Sequence, residues 1–181
     1  STQGLDCKGY SWVFDYHATS EKQAMVTVPS SSVYHCKEII ALKDDQHSNI
    51  DYALIRLDRK VTDRPSIAMK LGGDISLTDK LAVIGHPRGL PAKIAGGGKV
   101  LEVSANYFRS SLDAYTVNSG SGVFNERTGE IEGILISGTT DFETDFWKHA
   151  EVRKIWDDII PGQPRKTIPY TLTLEAIQKL C

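Results

Sequence analysis

The sequence lacks the features that mark membrane-spanning, disordered or nucleic-acid-binding chains. No apolar run in its 181 residues approaches the ~18 residues that a membrane-spanning helix needs. Neither sign of charge dominates, because 21 Lys and Arg residues stand against 23 Asp and Glu residues, without a basic stripe or polybasic cluster. The N-terminal residues do not resemble a signal peptide. A 40% hydrophobic content can fill a core, so we expect one globular domain or two small ones, with neither nucleic acid nor membrane as partner.

Two kinds of ligand site are also missing from the sequence. No cluster of His, Cys and carboxylate residues has the spacing of a metal site. The glycine triplet at residues 96–98 predicts a flexible turn, since the Gly-Lys-Ser/Thr motif of a phosphate-binding loop does not follow it. We therefore expect no metal and no cofactor.

Cysteine is scarce, with only Cys7, Cys36 and Cys181. Cys7 and Cys36 flank segments with the patterns of neighbouring strands, so we predict a disulfide between them. Closing this loop of 29 residues would stabilise the fold by roughly 3–4 kcal/mol. Three reduced thiols in a cytosolic protein are the alternative. Cys181 is left over and would need a partner elsewhere.

Short strand patterns dominate most of the chain. The predicted strands are apolar, aromatic or β-branched and lie at residues 11–16, 33–42, 52–57, 81–84, 99–103, 122–125 and 131–136. Many short strands with frequent turn signals predict an all-β barrel or sandwich. Later, Val152, Ile155, Trp156 and Ile159 have the spacing of an amphipathic helix, which we expect to end at Pro161.

A turn-forming segment before a predicted strand carries a candidate nucleophile. In Asn118–Ser121, small residues surround Ser119 and would leave its hydroxyl exposed on a tight bend. A nucleophilic serine needs this exposure, with backbone N–H groups nearby to stabilise an oxyanion. The alternative is an ordinary surface loop, in which the same residues are common.

A candidate partner for this serine opens an apolar strand. Asp51 immediately precedes the apolar segment Tyr52–Leu57, and a carboxylate buried at such an edge needs polar partners. Orienting a catalytic imidazole would supply one. Capping the start of the strand is the alternative role.

Taken together, these segments resemble the trypsin-like serine proteases. The resemblance rests on Asp-x-Ala-Leu-Ile-x-Leu from Asp51, a Gly-His-Pro turn at residues 85–87, the segment 118–125 around Ser119, and Gly-Glu-Ile-Glu-Gly-Ile-Leu at 129–135. It covers residues 10–140 and looks closest to the bacterial branch that includes the glutamyl endopeptidases. It implies a serine endopeptidase acting on polypeptides, with Ser119 as nucleophile and Asp51 as the triad aspartate.

The resemblance also implies a fold and a division of the chain. The family fold is a double six-stranded antiparallel β-barrel with the site in the cleft between the barrels. We expect residues 1–75 to form an incomplete N-terminal barrel, 76–142 the C-terminal barrel, and 143–181 a C-terminal helix and tail. The family habit and the predicted disulfide indicate a secreted or periplasmic protein.

The catalytic histidine of this family is not found in the chain. The Thr-Ala-x-His-Cys segment is absent, and His35, although followed by cysteine, lies only 16 residues before Asp51. We therefore expect the histidine upstream of the present sequence, for example on a cleaved N-terminal peptide that would act as a partner. His86 is interpreted as a structural residue of its turn, and His149 as a surface residue.

The resemblance assigns further residues near the nucleophile. Val117 stands where the family has a glycine whose N–H holds the oxyanion together with that of Ser119, and we expect valine to distort this hole. Asp113 has the offset of the base of the primary specificity pocket, where an acid favours Arg or Lys; a surface acid is the alternative. Ser137 and Gly138 belong to the strand expected to pair with the substrate backbone.

Two other functions fit the sequence. A catalytically inactive protease homologue would keep the cleft and act as a peptide- or protein-binding module, as the missing histidine and glycine suggest. A β-sandwich adhesion domain would explain the strands but would leave the motifs at Asp51 and Ser119 as coincidence.

Overall fold

A computed structural model describes residues 6–20, 23, 25–45, 47, 50–114 and 117–137, and the backbone of three later strands. Within these residues the regular structure is β-strand, apart from two 3-10 turns at Ser30–Ser32 and Pro87–Gly89. The strands are β1 Ser11–Val13, β2 Val33–Asp45, β3 Ile50–Leu57, β4 Lys80–Gly85, β5 Lys93–Val103, β6 Tyr107–Ser110, β7 Gly122–Asn125, β8 Ile131–Ser137, β9 Phe142–Asp145, β10 Ala150–Arg153 and β11 Tyr170–Thr173. The predicted all-β class is confirmed.

The N-terminal strands form an open antiparallel sheet in the order β1-β2-β3. The predicted disulfide is present and joins Cys7, before β1, to Cys36 on β2. Ile50 and Tyr52, buried on β3, form a small core under this sheet. The described N-terminal residues thus make a half-barrel, in which Asp51 and Ala53 of β3 are exposed.

The C-terminal strands form a closed six-stranded barrel in the order β11-β6-β5-β4-β7-β8. Alternate residues of β4 point inward, so Leu81 and Val83 are buried. They pack with Phe108, Leu112 and Val123 in the main core. The burial of each such side chain stabilises the folded barrel by about 1.5–3 kcal/mol. The barrel is therefore a rigid support for the turn that follows residue 117.

The predicted C-terminal helix is wrong where its residues are described. Ala150–Arg153 form β10, which pairs with β9 in an antiparallel hairpin. Val152 therefore lies in a strand, because pairing with a neighbouring strand outweighs a helical spacing of apolar residues. The remaining positions of that prediction, 154–161, lie outside the described residues.

The glycine triplet at residues 96–98 is also not a free turn. All three glycines lie within β5. A β-carbon at Gly98 would come within 2.5 Å of the Leu112 side chain. Glycine is needed there because the core residue Leu112 occupies that space.

The segment between β3 and β4 and the N-terminal segment both contact the barrel. Lys70 Nζ lies 3.1 Å from the buried carboxylate of Glu132, which also accepts a hydrogen bond of 2.9 Å from Asn125 Nδ2. The Tyr16 carbonyl accepts a hydrogen bond of 2.9 Å from the Ala92 N–H. In the described ranges, no helix is long and apolar enough to cross a membrane.

Candidate active site

The turn before β7 presents Ser119 at the surface, as its sequence predicts. Hydrogen bonds from Gly120 N to Leu135 O (2.7 Å) and from Leu135 N to Ser121 O (2.9 Å) fix the turn to β8. Ser119 is exposed, and its Oγ donates to the Ile136 carbonyl at 3.3 Å. The hydroxyl is therefore accessible and held on the β8 side of the turn.

The shape of this turn depends on the end of β4. The buried Asn118 accepts a hydrogen bond of 2.7 Å from Ser121 Oγ through its Oδ1. A β-carbon at Gly85 would overlap both of these atoms. Since β4 pairs with β7 and Ile84 lies opposite Gly122, glycine at residue 85 lets the turn pack directly on the neighbouring strand.

Asp51 enters the site from the other sheet. It lies on β3, opposite Asp44 of β2. Burial, and then the negative charge of Asp44, raise the pKa of the Asp51 carboxyl. No donor within the described part of the chain hydrogen-bonds to this carboxylate, so Asp51 is a carboxylate without a compensating cation.

Ser119 lies between two hollows. The first, the Asp51 hollow, has a volume of about 380 Å³ and is lined by Asp51, Ser119 and residues 134–136 of β8. The second, the His86 hollow, has a volume of about 410 Å³ and is lined by His86, Ser119 and neighbouring residues of the turn. Trp12 lines both hollows. The two residues selected by their motifs, Asp51 and Ser119, therefore converge on one cleft.

The residue expected at the oxyanion position has a backbone conformation that usually requires glycine. Val117 has φ +60°, a region that costs an L-residue about 1–2 kcal/mol. Its side chain is 67% exposed, and its carbonyl accepts a hydrogen bond of 3.3 Å from Arg88 N. Among the described residues, the N–H groups of Val117 and Ser119 have no acceptor, which leaves both available to an anion.

No histidine lines the hollow that Asp51 shares with Ser119. His35 lies near the start of β2, whereas Asp44, near its end, is the residue opposite Asp51. The Nδ1 of His35 hydrogen-bonds Ser11 Oγ at 2.9 Å. His86 lines the other hollow, and His149 lies outside the described residues. The residues that line the Asp51 hollow therefore include no imidazole base for Ser119.

The other residues expected to contact the substrate are Asp113, Ser137 and Gly138. Asp113 lies between the buried residues Leu112 and Ala114 and does not line either hollow; its role in the primary pocket stays a prediction. Ser137 ends β8 and is exposed, whereas Gly138 lies outside the described residues.

Three residues of the site were not selected by their motifs: Trp12, Gly85 and His86. The sequence could have indicated Gly85 and His86, because the Gly-His-Pro turn ends β4, and β4 pairs with the strand that follows the serine motif. The end of one strand lies beside the start of its antiparallel partner. Trp12 carried no comparable signal, since its place in the cleft depends on how the N-terminal sheet packs.

Comparison with known proteins agrees with this architecture. Residues 15–134 match the trypsin-like peptidase domain. Among solved structures, the chain is similar to the inactive form of a serine-to-alanine mutant of Rv3671c from M. tuberculosis, with a TM-score of 0.51 and 9% sequence identity. That similarity covers 82% of this chain and 64% of the other, so the chain spans less than two thirds of its neighbour's length. No curated protein sequence matches. Because the domain match covers well over half of the sequence, the chain belongs to the trypsin-like peptidase family.

Proposed function

We propose that this protein is a serine endopeptidase, or the larger part of one, that cleaves polypeptides through an acyl-enzyme. The observation that carries the proposal is the convergence of Asp51 and Ser119 on one hollow, although Asp51 lies on β3 of the N-terminal sheet and Ser119 in the turn before β7 of the barrel. In this proposal Ser119 attacks the scissile carbonyl and Asp51 orients the imidazole that takes the serine proton.

The imidazole comes from a histidine outside the described residues, on an upstream segment or a cleaved N-terminal peptide. The Asp51 hollow suits such a group, because Asp51 offers a carboxylate without a donor and Trp12 offers an aromatic wall. Binding of an imidazolium there would lower the pKa of Asp51, which burial and Asp44 now raise. The Ser119 hydroxyl would turn from the Ile136 carbonyl towards the imidazole.

The turn supplies the oxyanion site in this mechanism. The N–H groups of Val117 and Ser119 would bind the developing oxyanion, and one such donor is worth roughly 3–4 kcal/mol. Substrate residues before the scissile bond would pair with β8 near Ser137 and Gly138. Asp113 at the base of the primary pocket would favour Arg or Lys, whereas selection for Glu would place the protein nearer the glutamyl endopeptidases. We further propose a secreted or periplasmic location, which the Cys7–Cys36 disulfide supports.

A second function, a catalytically inactive homologue that binds peptides or a partner protein, is favoured by one observation. Valine at residue 117 holds a strained backbone conformation where glycine would be relaxed. An enzyme under selection for oxyanion binding has little reason to keep this strain.

Phosphonylation of Ser119 by a fluorophosphonate, in which the serine oxygen bonds to phosphorus and fluoride leaves, distinguishes the two functions. The protein is treated with the probe alone, with free imidazole, and with the upstream segment, and the labelled residue is mapped by mass spectrometry. We expect labelling of Ser119 only when an imidazole is supplied, a decrease in Asp51→Asn, and none in Ser119→Ala. Ser66→Ala, at an exposed serine outside both hollows, is the control. Labelling that survives Ser119→Ala refutes the enzyme; peptide binding without labelling of Ser119, even in Val117→Gly, supports the binding module.

A further inference from the structure

The His86 hollow has a position that suits the leaving-group side of a peptide. It lies on the side of Ser119 away from β8, whose residues 134–136 line the Asp51 hollow instead. Under the proposed function, β8 binds the residues before the scissile bond. The His86 hollow, with a volume of about 410 Å³, is then left for residues that follow this bond.

The His86 ring is held in a defined orientation. Its Nδ1 lies 3.0 Å from the Leu90 carbonyl, and its face stacks on the Tyr16 ring at 5.6 Å with an interplanar angle of 25°. A carbonyl oxygen only accepts hydrogen bonds, so Nδ1 carries a proton in either charge state. Nε2 has no partner within the part of the chain that the structure describes, and it becomes a donor whenever the ring is protonated.

The surroundings of this ring favour an anion. Among the described residues that line the hollow, His86 is the one ionisable side chain, and none is a carboxylate. The free N–H groups of Val117 and Ser119 add partial positive charge. Tyr16 stacks on the ring, and Arg88 lies two residues further along its turn; Asp15 and His17 flank Tyr16 in the chain.

We propose that the His86 hollow binds a carboxylate of the substrate, on a residue that follows the scissile bond, through the Nε2–H of protonated His86. This inference rests on the proposed function, because it uses the cleft as a peptide site. In the proposed function Asp113 favours Arg or Lys before the scissile bond, so His86 would select the opposite charge after it.

Peptide binding tests the proposal without requiring turnover. The Ser119→Ala protein is titrated with fluorescein-labelled, C-terminally amidated decapeptides that carry one Arg, with Glu or its Gln partner at each of the other positions. We expect Glu to bind about tenfold more tightly than Gln at one position after the Arg, near pH ~5.5. This preference should shrink as the pH is raised, because loss of the ring proton takes the hydrogen from Nε2. The same peptides with a free C-terminus show whether a terminal carboxylate binds instead of a side chain.

His86→Asn is the informative variant, because the asparagine amide can still donate to Leu90 O while the Nε2 position is lost. It should abolish the Glu preference and leave the Gln peptides unchanged, whereas His17→Asn, an exposed histidine outside the hollow, should keep the preference. Equal binding of Glu and Gln peptides, or a preference that survives His86→Asn or lies before the Arg, overturns this inference alone. Absence of binding by every peptide overturns the proposed function as well.

Discussion

Gly85 lies so close to Ser121 that a β-carbon at residue 85 would be 2.7 Å from the Ser121 Cβ and would overlap its hydroxyl. Because Gly85, the last residue of β4, has no side chain, the turn that carries the candidate nucleophile can pack directly against it. Ser121 in turn holds Asn118, so the geometry around Ser119 is set by packing between neighbouring strands.

Gly85→Ala should lower the free energy of unfolding by about 1–3 kcal/mol, because the added methyl group forces Ser121 or β4 to move. Fluorophosphonate labelling of Ser119 in the presence of imidazole should fall in the same variant. Urea unfolding and fluorophosphonate labelling measure the two effects. Gly72→Ala is the matched control, since a β-carbon there meets nothing within 4 Å. Equal losses in both variants would contradict the packing role of Gly85.

Val117→Gly should raise the free energy of unfolding by about 1 kcal/mol, because glycine adopts a positive φ without strain and little buried surface is lost. Val103→Gly, at an exposed valine of β5, should instead lower it by a similar amount. Urea unfolding of the two variants provides the comparison. In the protein supplied with its histidine, Val117→Gly should also raise kcat. The strain argument fails if both substitutions destabilise equally.

The stability of the protein should depend on the ionisation of Asp51. A pKa raised by burial and Asp44 means that the folded state binds the proton more tightly than the unfolded state. This stabilising contribution is complete below the ordinary value near pH ~4 and is lost as pH rises through the raised pKa. Asp51→Asn should therefore be more stable than the wild type at neutral pH, and the difference should disappear near pH ~3.

Urea unfolding across this pH range measures the Asp51 effect. Asp44→Asn should give a smaller gain at neutral pH, because burial contributes more than Asp44 to the raised pKa. A gain for Asp51→Asn that is equally large at pH ~3 would show that ionisation is not its cause.

The buried pair of Lys70 and Glu132 should matter far more than an exposed pair. Lys70→Met should cost about 2–3 kcal/mol of stability, since the Glu132 carboxylate, 5% exposed, would lose its cation. The double variant Lys70→Met, Glu132→Gln should recover most of this loss. Arg56→Met, in the exposed pair with Glu38, should change stability by less than about 0.5 kcal/mol. Similar losses for Lys70→Met and Arg56→Met in thermal unfolding would argue against the buried ion pair.

Local patterns predicted the strands that carry the site. Segment 122–125 was predicted as a strand and forms β7 with the same bounds, and the apolar segment after Asp51 predicted β3 to within two residues. Both the nucleophile turn and the aspartate strand are local features, so their residues could be read from consecutive positions. The Cys7–Cys36 pairing followed from strand adjacency in the same way.

Features that depend on distant packing were not predicted. β6, at Tyr107–Ser110, has too few residues for a clear alternation, and its strand conformation is stabilised by pairing with β5 and β11. Val152 was assigned to a helix because apolar spacing does not show that β9 pairs with its segment. The position of Trp12 beside Ser119 likewise depends on contacts between the two sheets.

The closed barrel has a consequence for how the chain acquires its structure during synthesis. β11 closes the barrel between β6 and β8, and its first residue, Tyr170, follows the end of β8 by 33 positions. Until the ribosome has released residues 170–173, β6 and β8 remain edge strands, and unpaired edges are sites of intermolecular association. The residues of the turn around Ser119 are therefore synthesised while the barrel beneath them is still open. Chaperone protection is most useful at this stage.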